Sequence, residues 1–123
     1  MTQKSDIGYF AEDLAAEYLE KKGYKIIDRN YRKPWGELDL VATKEGIVIF
    51  VEVKANTYDS IAFDPALRAG NEKLHKVVRT AQLYLDSKKF SSEQNWQIDL
   101  VTVIIEKGKE TAKITHFKNI ETG

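Results

Sequence analysis

Residues 36–54 read Gly36-Glu37-Leu38-Asp39-Leu40-Val41-Ala42-Thr43-Lys44-Glu45-Gly46-Ile47-Val48-Ile49-Phe50-Val51-Glu52-Val53-Lys54, and this stretch decides the fold. Polar and apolar residues alternate over 37–43, while Val, Ile and Phe crowd 47–54, so both halves are expected to be strands. Glu45-Gly46 between them closes a two-residue turn, because Gly accepts positive φ at little cost. That turn sets the register. Lys44 pairs with Ile47 and Thr43 with Val48; counting back places Asp39 opposite Glu52 and Glu37 opposite Lys54. Alternation then puts Glu37, Asp39 and Val41 on one face of the first strand. Val48, Phe50, Glu52 and Lys54 share one face of the second.

Outward from this hairpin, the pattern on the N-terminal side begins as a helix over 6–22. Ile7, Phe10, Ala11, Leu14 and Tyr18 form its apolar stripe, and Gly23 stops it. A strand follows over 24–32, and Lys33-Pro34-Trp35-Gly36 turns the chain into the hairpin. On the other side, residues 55–69 read as irregular. A second helix over 72–88 is patterned on Leu74, Val77, Val78, Ala81 and Leu85. Strands over 96–105 and 113–117 complete the order α-β-β-β-α-β-β, joined around Lys107-Gly108. This predicts an α/β fold with a mixed sheet and helices packed on it, the helix between the third and fourth strands making those two parallel.

Composition narrows the function classes. A chain of 123 residues is expected to form a single domain, residues 1–123, with a real core. It has no cysteine, so disulfides and thiolate zinc sites are excluded and a cytoplasmic protein is the simplest reading. No apolar run reaches the roughly 20 residues of a membrane helix, so no membrane association is expected. His75 and His116 have no metal spacing and are read as surface or satisfied core positions. The 19 basic and 19 acidic residues cancel, which argues against a protein that coats nucleic acid but leaves room for a local basic patch.

The chemistry is concentrated at Asp39, Glu52 and Lys54. Opposed carboxylates repel, so a compensating cation is expected. Lys54 supplies part of it. A hard divalent ion such as Mg²⁺, with Mn²⁺ as its substitute, supplies the rest through Asp39, Glu52 and the backbone carbonyl of Val53. Glu12 lies off the first helix's main stripe beside Gly8, Ala15, Ala16 and Leu19, a small-residue flank that can approach the sheet. Glu37 is weighed between this site and a plain surface pairing with Lys54. Lys73 and Arg32 are read as ordinary solvated residues by default. A Glu-x-Lys on an edge strand is by itself usually a solvated pair; the register and the helix Glu tip the balance.

These residues resemble a known pattern. Gly8-x-x-Ala11-Glu12-x-x-Ala15-x-x-Tyr18-Leu19, Gly23-Tyr24, Arg29-Asn30-Tyr31-Arg32, Gly36-Glu37-Leu38-Asp39-Leu40 and Phe50-Val51-Glu52-Val53-Lys54 are similar to the YraN-like family of uncharacterised bacterial proteins. Lys73, Ala81-x-x-Tyr84-Leu85 and Ile98-Asp99-Leu100 continue the likeness over nearly the whole chain. The resemblance implies the PD-(D/E)xK nuclease-like superfamily, a restriction-endonuclease-like core and an order of elements shared with archaeal Holliday junction resolvases. It further implies Mg²⁺-dependent cleavage of DNA phosphodiesters, with branched or repair DNA as the substrate and a homodimer as a candidate assembly. In that scheme Asp39 and Glu52 bind metal, Lys54 orients or activates water, Glu12 assists, and Lys73 and Arg32 contact DNA. Ala55-Asn56 stands where the family usually has Thr-Arg, and Gln97-Ile98 where it has Arg-Phe, so weaker DNA affinity is expected. The alternative functions are a nucleic-acid-binding module and a protein-interaction domain that keeps the fold.

Overall fold

The hairpin register holds as the turn requires. In the computed structural model Lys44 registers on Ile47, Thr43 on Val48 and Leu40 on Val51, antiparallel. Glu45 and Gly46 have φ of 51° and 79°, the pair of positive values that a two-residue turn of type I′ demands. The structure describes residues 6–57, 71–106 and 112–120, except for the side chains at 57, 71 and 72. The expected turn at Lys107-Gly108 and most of the stretch read as irregular lie outside these residues.

The elements are α1 (Asp6–Lys21), β1 (Lys25–Lys33), β2 (Gly36–Lys44), β3 (Ile47–Thr57), α2 (Asn71–Ser87), β4 (Trp96–Ile105) and β5 (Ala112–Phe117). The five strands form one mixed sheet in the order β1-β2-β3-β4-β5. Only β3 and β4 run parallel, since α2 lies between them in the chain; the other neighbours are antiparallel. β3 extends through Thr57, so residues 55–57 are strand rather than loop. No helix is long and apolar enough to cross a membrane, among the described residues.

Each face of the sheet carries its own core. One holds Leu40, Ala42, Ile49, Val51, Val101 and Val103 against α1. The other holds Leu38, Val41, Val48, Phe50 and Ile98 against Val77, Ala81, Tyr84 and Leu85 of α2. α1 follows the expected stripe in part, with Ala11, Leu14 and Tyr18 packed on the core it faces. Its buried residues are Ala11, Glu12, Ala15, Ala16 and Leu19, while Ile7 and Phe10 stay exposed. Three alanines at helical spacing admit the sheet more closely than Phe10 would, and close approach multiplies dispersion contacts.

In β2 the alternation breaks at Asp39. Leu38 and Leu40 are two residues apart yet belong to opposite cores. Their β1 partners, Tyr31 and Arg29, behave alike: Tyr31 joins the α2 side, while Arg29 binds Asp13 of α1. Both strands therefore exchange faces between these two pairs. Asn30, at the centre, has φ of 52°, a left-handed conformation that Asn tolerates better than most residues. The expected common face of Glu37, Asp39 and Val41 is lost here, because a change of local twist overrides the two-residue period.

Candidate metal-binding and catalytic site

The ladder between β2 and β3 ends at Leu40 and Val51, one pair short of Asp39 and Glu52. β3 continues alone on this side while remaining paired to β4 up to Thr57 with Ile105. The backbone edge of β3 beyond Val51 thus needs another acceptor. Asp39 supplies it: the Val53 amide donates to Asp39 Oδ2 at 2.9 Å. In an extended strand the N–H and C=O of one residue point to the same edge, so the Val53 carbonyl also faces the Asp39 side. The half-buried carboxylate of Asp39 is anchored directly on the peptide that joins Glu52 to Val53.

Glu52 and Lys54 continue the Val48-Phe50 alternation on the α2 side of β3. The Glu52 side chain is only 13 % exposed, and its Oε2 lies 4.0 Å from Nζ of Lys73 on α2. Lys73, expected against DNA, thus also offsets the negative charge of the site. Lys54 is half-buried and registers on Thr102 of β4. Glu12 is 2 % exposed beneath the small-residue face of α1. Burial of a carboxylate among apolar neighbours is costly in its charged form, so this residue type is an unusual choice for packing alone. Glu37 is exposed and registers on Arg32 of β1; the β2–β3 ladder ends before it would reach Lys54. Its expected pairing with Lys54 is therefore not formed as a strand register.

The candidate donors are all oxygen: the carboxylates of Asp39 and Glu52 and the backbone carbonyl of Val53. Among the described residues no three His, Cys, Asp or Glu side chains form a metal-holding group, so Glu12 does not join the pair as a third carboxylate ligand. A set this sparse fits Mg²⁺ or Mn²⁺, which retain several waters and need only one or two carboxylates. It does not fit zinc, whose structural sites want four protein ligands of nitrogen or sulfur.

Sequence reasoning passed over a second polar cluster. Asp99 on β4 is fully buried and accepts three hydrogen bonds: from His116 Nε2 at 2.7 Å, Gln97 Nε2 at 2.8 Å and the Asn119 amide at 2.9 Å. Burial alone would raise its pKa, but the bonds from His116, Asn119 and Gln97 outweigh it and hold the carboxyl below the ordinary value. Tyr18 and Tyr24 meet His116 edge-on at 5.9 and 5.8 Å. The signal was present: one aspartate in Ile98-Asp99-Leu100-Val101, where only a satisfied charge is affordable. His116 is the satisfied core residue that its isolation suggested, and His75 is exposed.

Among the described residues, two helices on a five-stranded mixed sheet, with an acid bound to the backbone where two strands part, define a mixed α/β protein. The profile of the "Uncharacterised protein family UPF0102" matches residues 11–103, and the chain belongs to that family, to which the YraN-like resemblance pointed. It is 41% identical over 116 residues to the UPF0102 protein of Syntrophomonas wolfei, spanning 93% of this chain and 96% of the relative. Against the UPF0102 protein of Aquifex aeolicus the identity is 40% over 109 residues, spanning 89% and 90%. For the relative from Fervidobacterium nodosum it is 37% over 113 residues, spanning 89% and 77%. The matched span contains Glu12, Asp39, Glu52, Lys54 and Lys73.

Proposed function

We propose that the protein is a divalent-cation-dependent endonuclease that cleaves DNA phosphodiesters, on a restriction-endonuclease-like core of the PD-(D/E)xK type. The observation that carries this reading is the bond from the Val53 amide to Asp39 Oδ2, which ties one acid to the peptide next to the other where β2 leaves β3. Asp39, Glu52 and the Val53 carbonyl are the residues that would hold Mg²⁺ or Mn²⁺. When bound, the cation supplies Lewis-acid polarisation of a phosphate oxygen and a more acidic water. Lys54 stabilises negative charge building on the phosphate oxygens. Glu12 biases the local field from beneath α1. Lys73 keeps Glu52 directed toward the α2 side.

The test is cleavage of linear, single-stranded, flapped and four-way DNA with Mg²⁺ and with Mn²⁺. Glu52→Gln should abolish cleavage and metal binding while DNA binding persists. Lys54→Ala should leave metal binding near the parent's but reduce cleavage by about 10²–10³-fold, the usual scale for losing one charge-stabilising group. Parent and variants that bind metal and DNA alike, with no cleavage by any, would reject the enzyme reading. Zero net charge and Ala55-Asn56 after Lys54 favour one second reading, a nucleic-acid-binding module with a silent site. A homodimer is the assembly to be measured alongside.

A further inference from the structure

Lys73 holds a position where lysine is an odd choice. Along α2, Lys73, Val77, Thr80 and Tyr84 stand four, three and four residues apart, the spacing of one helix face. Val77, Thr80 and Tyr84 are all buried, and Leu74 packs on the same core. Lys73 is therefore the first member of the stripe that faces the sheet. It also falls in the first turn of α2, where the unbonded N–H groups of a helix favour an acid over a cation. Neither packing nor helix stability selects a lysine here. Glu52 does, through the ion pair of Lys73 Nζ with its Oε2.

The two partners are unequally held. The Glu52 side chain is mostly removed from water, whereas that of Lys73 is 49 % exposed. A carboxylate so placed needs positive charge beside it, while a half-solvated ammonium on a flexible four-carbon stem is free to swing outward. Their separation of 4.0 Å is also longer than a charge-assisted hydrogen bond, so the contact offsets charge without locking geometry. An ammonium and a divalent cation are alternatives at such a carboxylate. Each neutralises Glu52, and together at a few ångströms they repel.

We propose that Lys73 is a built-in counter-ion of Glu52 that a divalent cation displaces, and that the released ammonium then meets a phosphate of the DNA. This exchange rests on the metal reading of Asp39 and Glu52, but it does not require cleavage. Without the cation Lys73 is occupied by Glu52; with it, the same charge serves the substrate. Cation loading and DNA binding then reinforce each other.

The experiment is Mn²⁺ titration of the full chain without DNA, following free Mn²⁺ by electron paramagnetic resonance, for the parent, Lys73→Gln and Lys73→Arg. The side chain is half exposed, so both variants should keep the fold. Gln removes the competing charge and should bind Mn²⁺ about two- to fivefold tighter, the scale of one partly solvated ion pair. Arg retains the charge and should bind Mn²⁺ like the parent. A second titration uses linear and four-way DNA in Ca²⁺, which replaces Mg²⁺ so that binding is read without turnover, and in EDTA. Lys73→Gln should weaken DNA binding more in Ca²⁺ than in EDTA, because only the cation frees the ammonium for a phosphate. Mn²⁺ affinity that is unchanged or lower in Lys73→Gln overturns the exchange even if the parent cleaves DNA. Equal losses of DNA affinity in Ca²⁺ and EDTA, or no DNA binding by the parent in Ca²⁺, overturn it too. A parent that binds no Mn²⁺ rejects the exchange and the nuclease reading together. Tighter Mn²⁺ binding by Lys73→Gln with a Ca²⁺-dependent loss of DNA affinity, and no cleavage by any of the proteins, upholds the exchange and rejects the nuclease alone.

Discussion

Asp39 answers two demands at once. On the proposed reading it is a cation ligand that repels Glu52 when no cation is bound, and as the acceptor of the Val53 amide it closes the end of a ladder. The two substitutions Asn and Ala separate these roles. Asn keeps an acceptor for Val53 and sheds the charge, so loss of a charge-assisted bond and relief of repulsion should nearly cancel. Ala removes the acceptor and leaves a partly buried N–H, which costs about 1–3 kcal/mol. In urea unfolding without divalent ions, Asp39→Ala should therefore lose that much stability and Asp39→Asn far less. Neither variant should show the Mg²⁺-dependent rise in melting temperature expected of the parent. An Asn variant as unstable as the Ala variant would mean the charge itself holds the strand. The register from Lys44–Ile47 to Leu40–Val51 was legible in the sequence because turn length fixes it, but the ladder stops one pair short of the expected opposition of Asp39 and Glu52. The bond to Val53 was not legible, since it depends on where two strands part, and that follows from twist and from a left-handed Asn30.

Helix ends show the same division at the scale of elements. Both helices finish in Schellman motifs. After α1, Tyr24 N donates to Leu19 O and Gly23 N to Glu20 O, each at 3.0 Å, with Gly23 at φ 92°. After α2, Phe90 N donates to Leu85 O at 3.0 Å and Lys89 N to Asp86 O at 3.1 Å, with Lys89 at φ 62°. Gly23 announced the first stop; nothing in Lys88-Lys89-Phe90 announces the second, where the seating of Phe90 against its core forces a lysine into a left-handed turn. That conformation costs a side-chain-bearing residue about 1 kcal/mol or more. Lys89→Gly should consequently raise stability, by up to about 1 kcal/mol after glycine's own entropy cost, read as a higher urea midpoint at unchanged slope. A lower midpoint would show that the Lys89 side chain contributes more than its backbone loses. The burial of α1 was misread for a related reason. Ala11, Leu14 and Tyr18 reach the core as expected, but Ile7 and Phe10 do not, because small residues decide where a helix approaches a sheet.

Across the whole molecule, two apolar cores flank the sheet, and each encloses an ionisable group whose proton is set by its neighbours. On the α1 side, Asp99 is held ionised by three hydrogen bonds despite burial, with a pKa below the ordinary 3.8. A depressed folded value means its stabilisation is fully present above the unfolded pKa and is lost as pH falls through the folded one. On the α2 side, burial first and Asp28 second push the Tyr84 hydroxyl up to about 12 from 10.0. A raised folded value means its stabilisation is complete below pH 10 and disappears as pH climbs through about 12. The two signs are opposite, so they bound a plateau, with an acid limb below about pH 4 and an alkaline limb above about pH 10. Other carboxylates add to the acid limb, so the difference between parent and variant is the informative quantity. Asp99→Asn should lower stability at pH 7 by roughly 1.5–3 kcal/mol, because bonds to a charged acceptor are lost, and should flatten the acid limb. Tyr84→Phe should leave the acid limb unchanged and flatten the alkaline one. Urea midpoints measured from pH 2.5 to 12 for the three proteins test both assignments at once. Curves that run parallel across the acid limb would show that Asp99 has the same proton affinity folded and unfolded. In that case its hydrogen bonds merely offset its burial, and the buried cluster orients β4, β5 and Asn119 without making stability depend on pH.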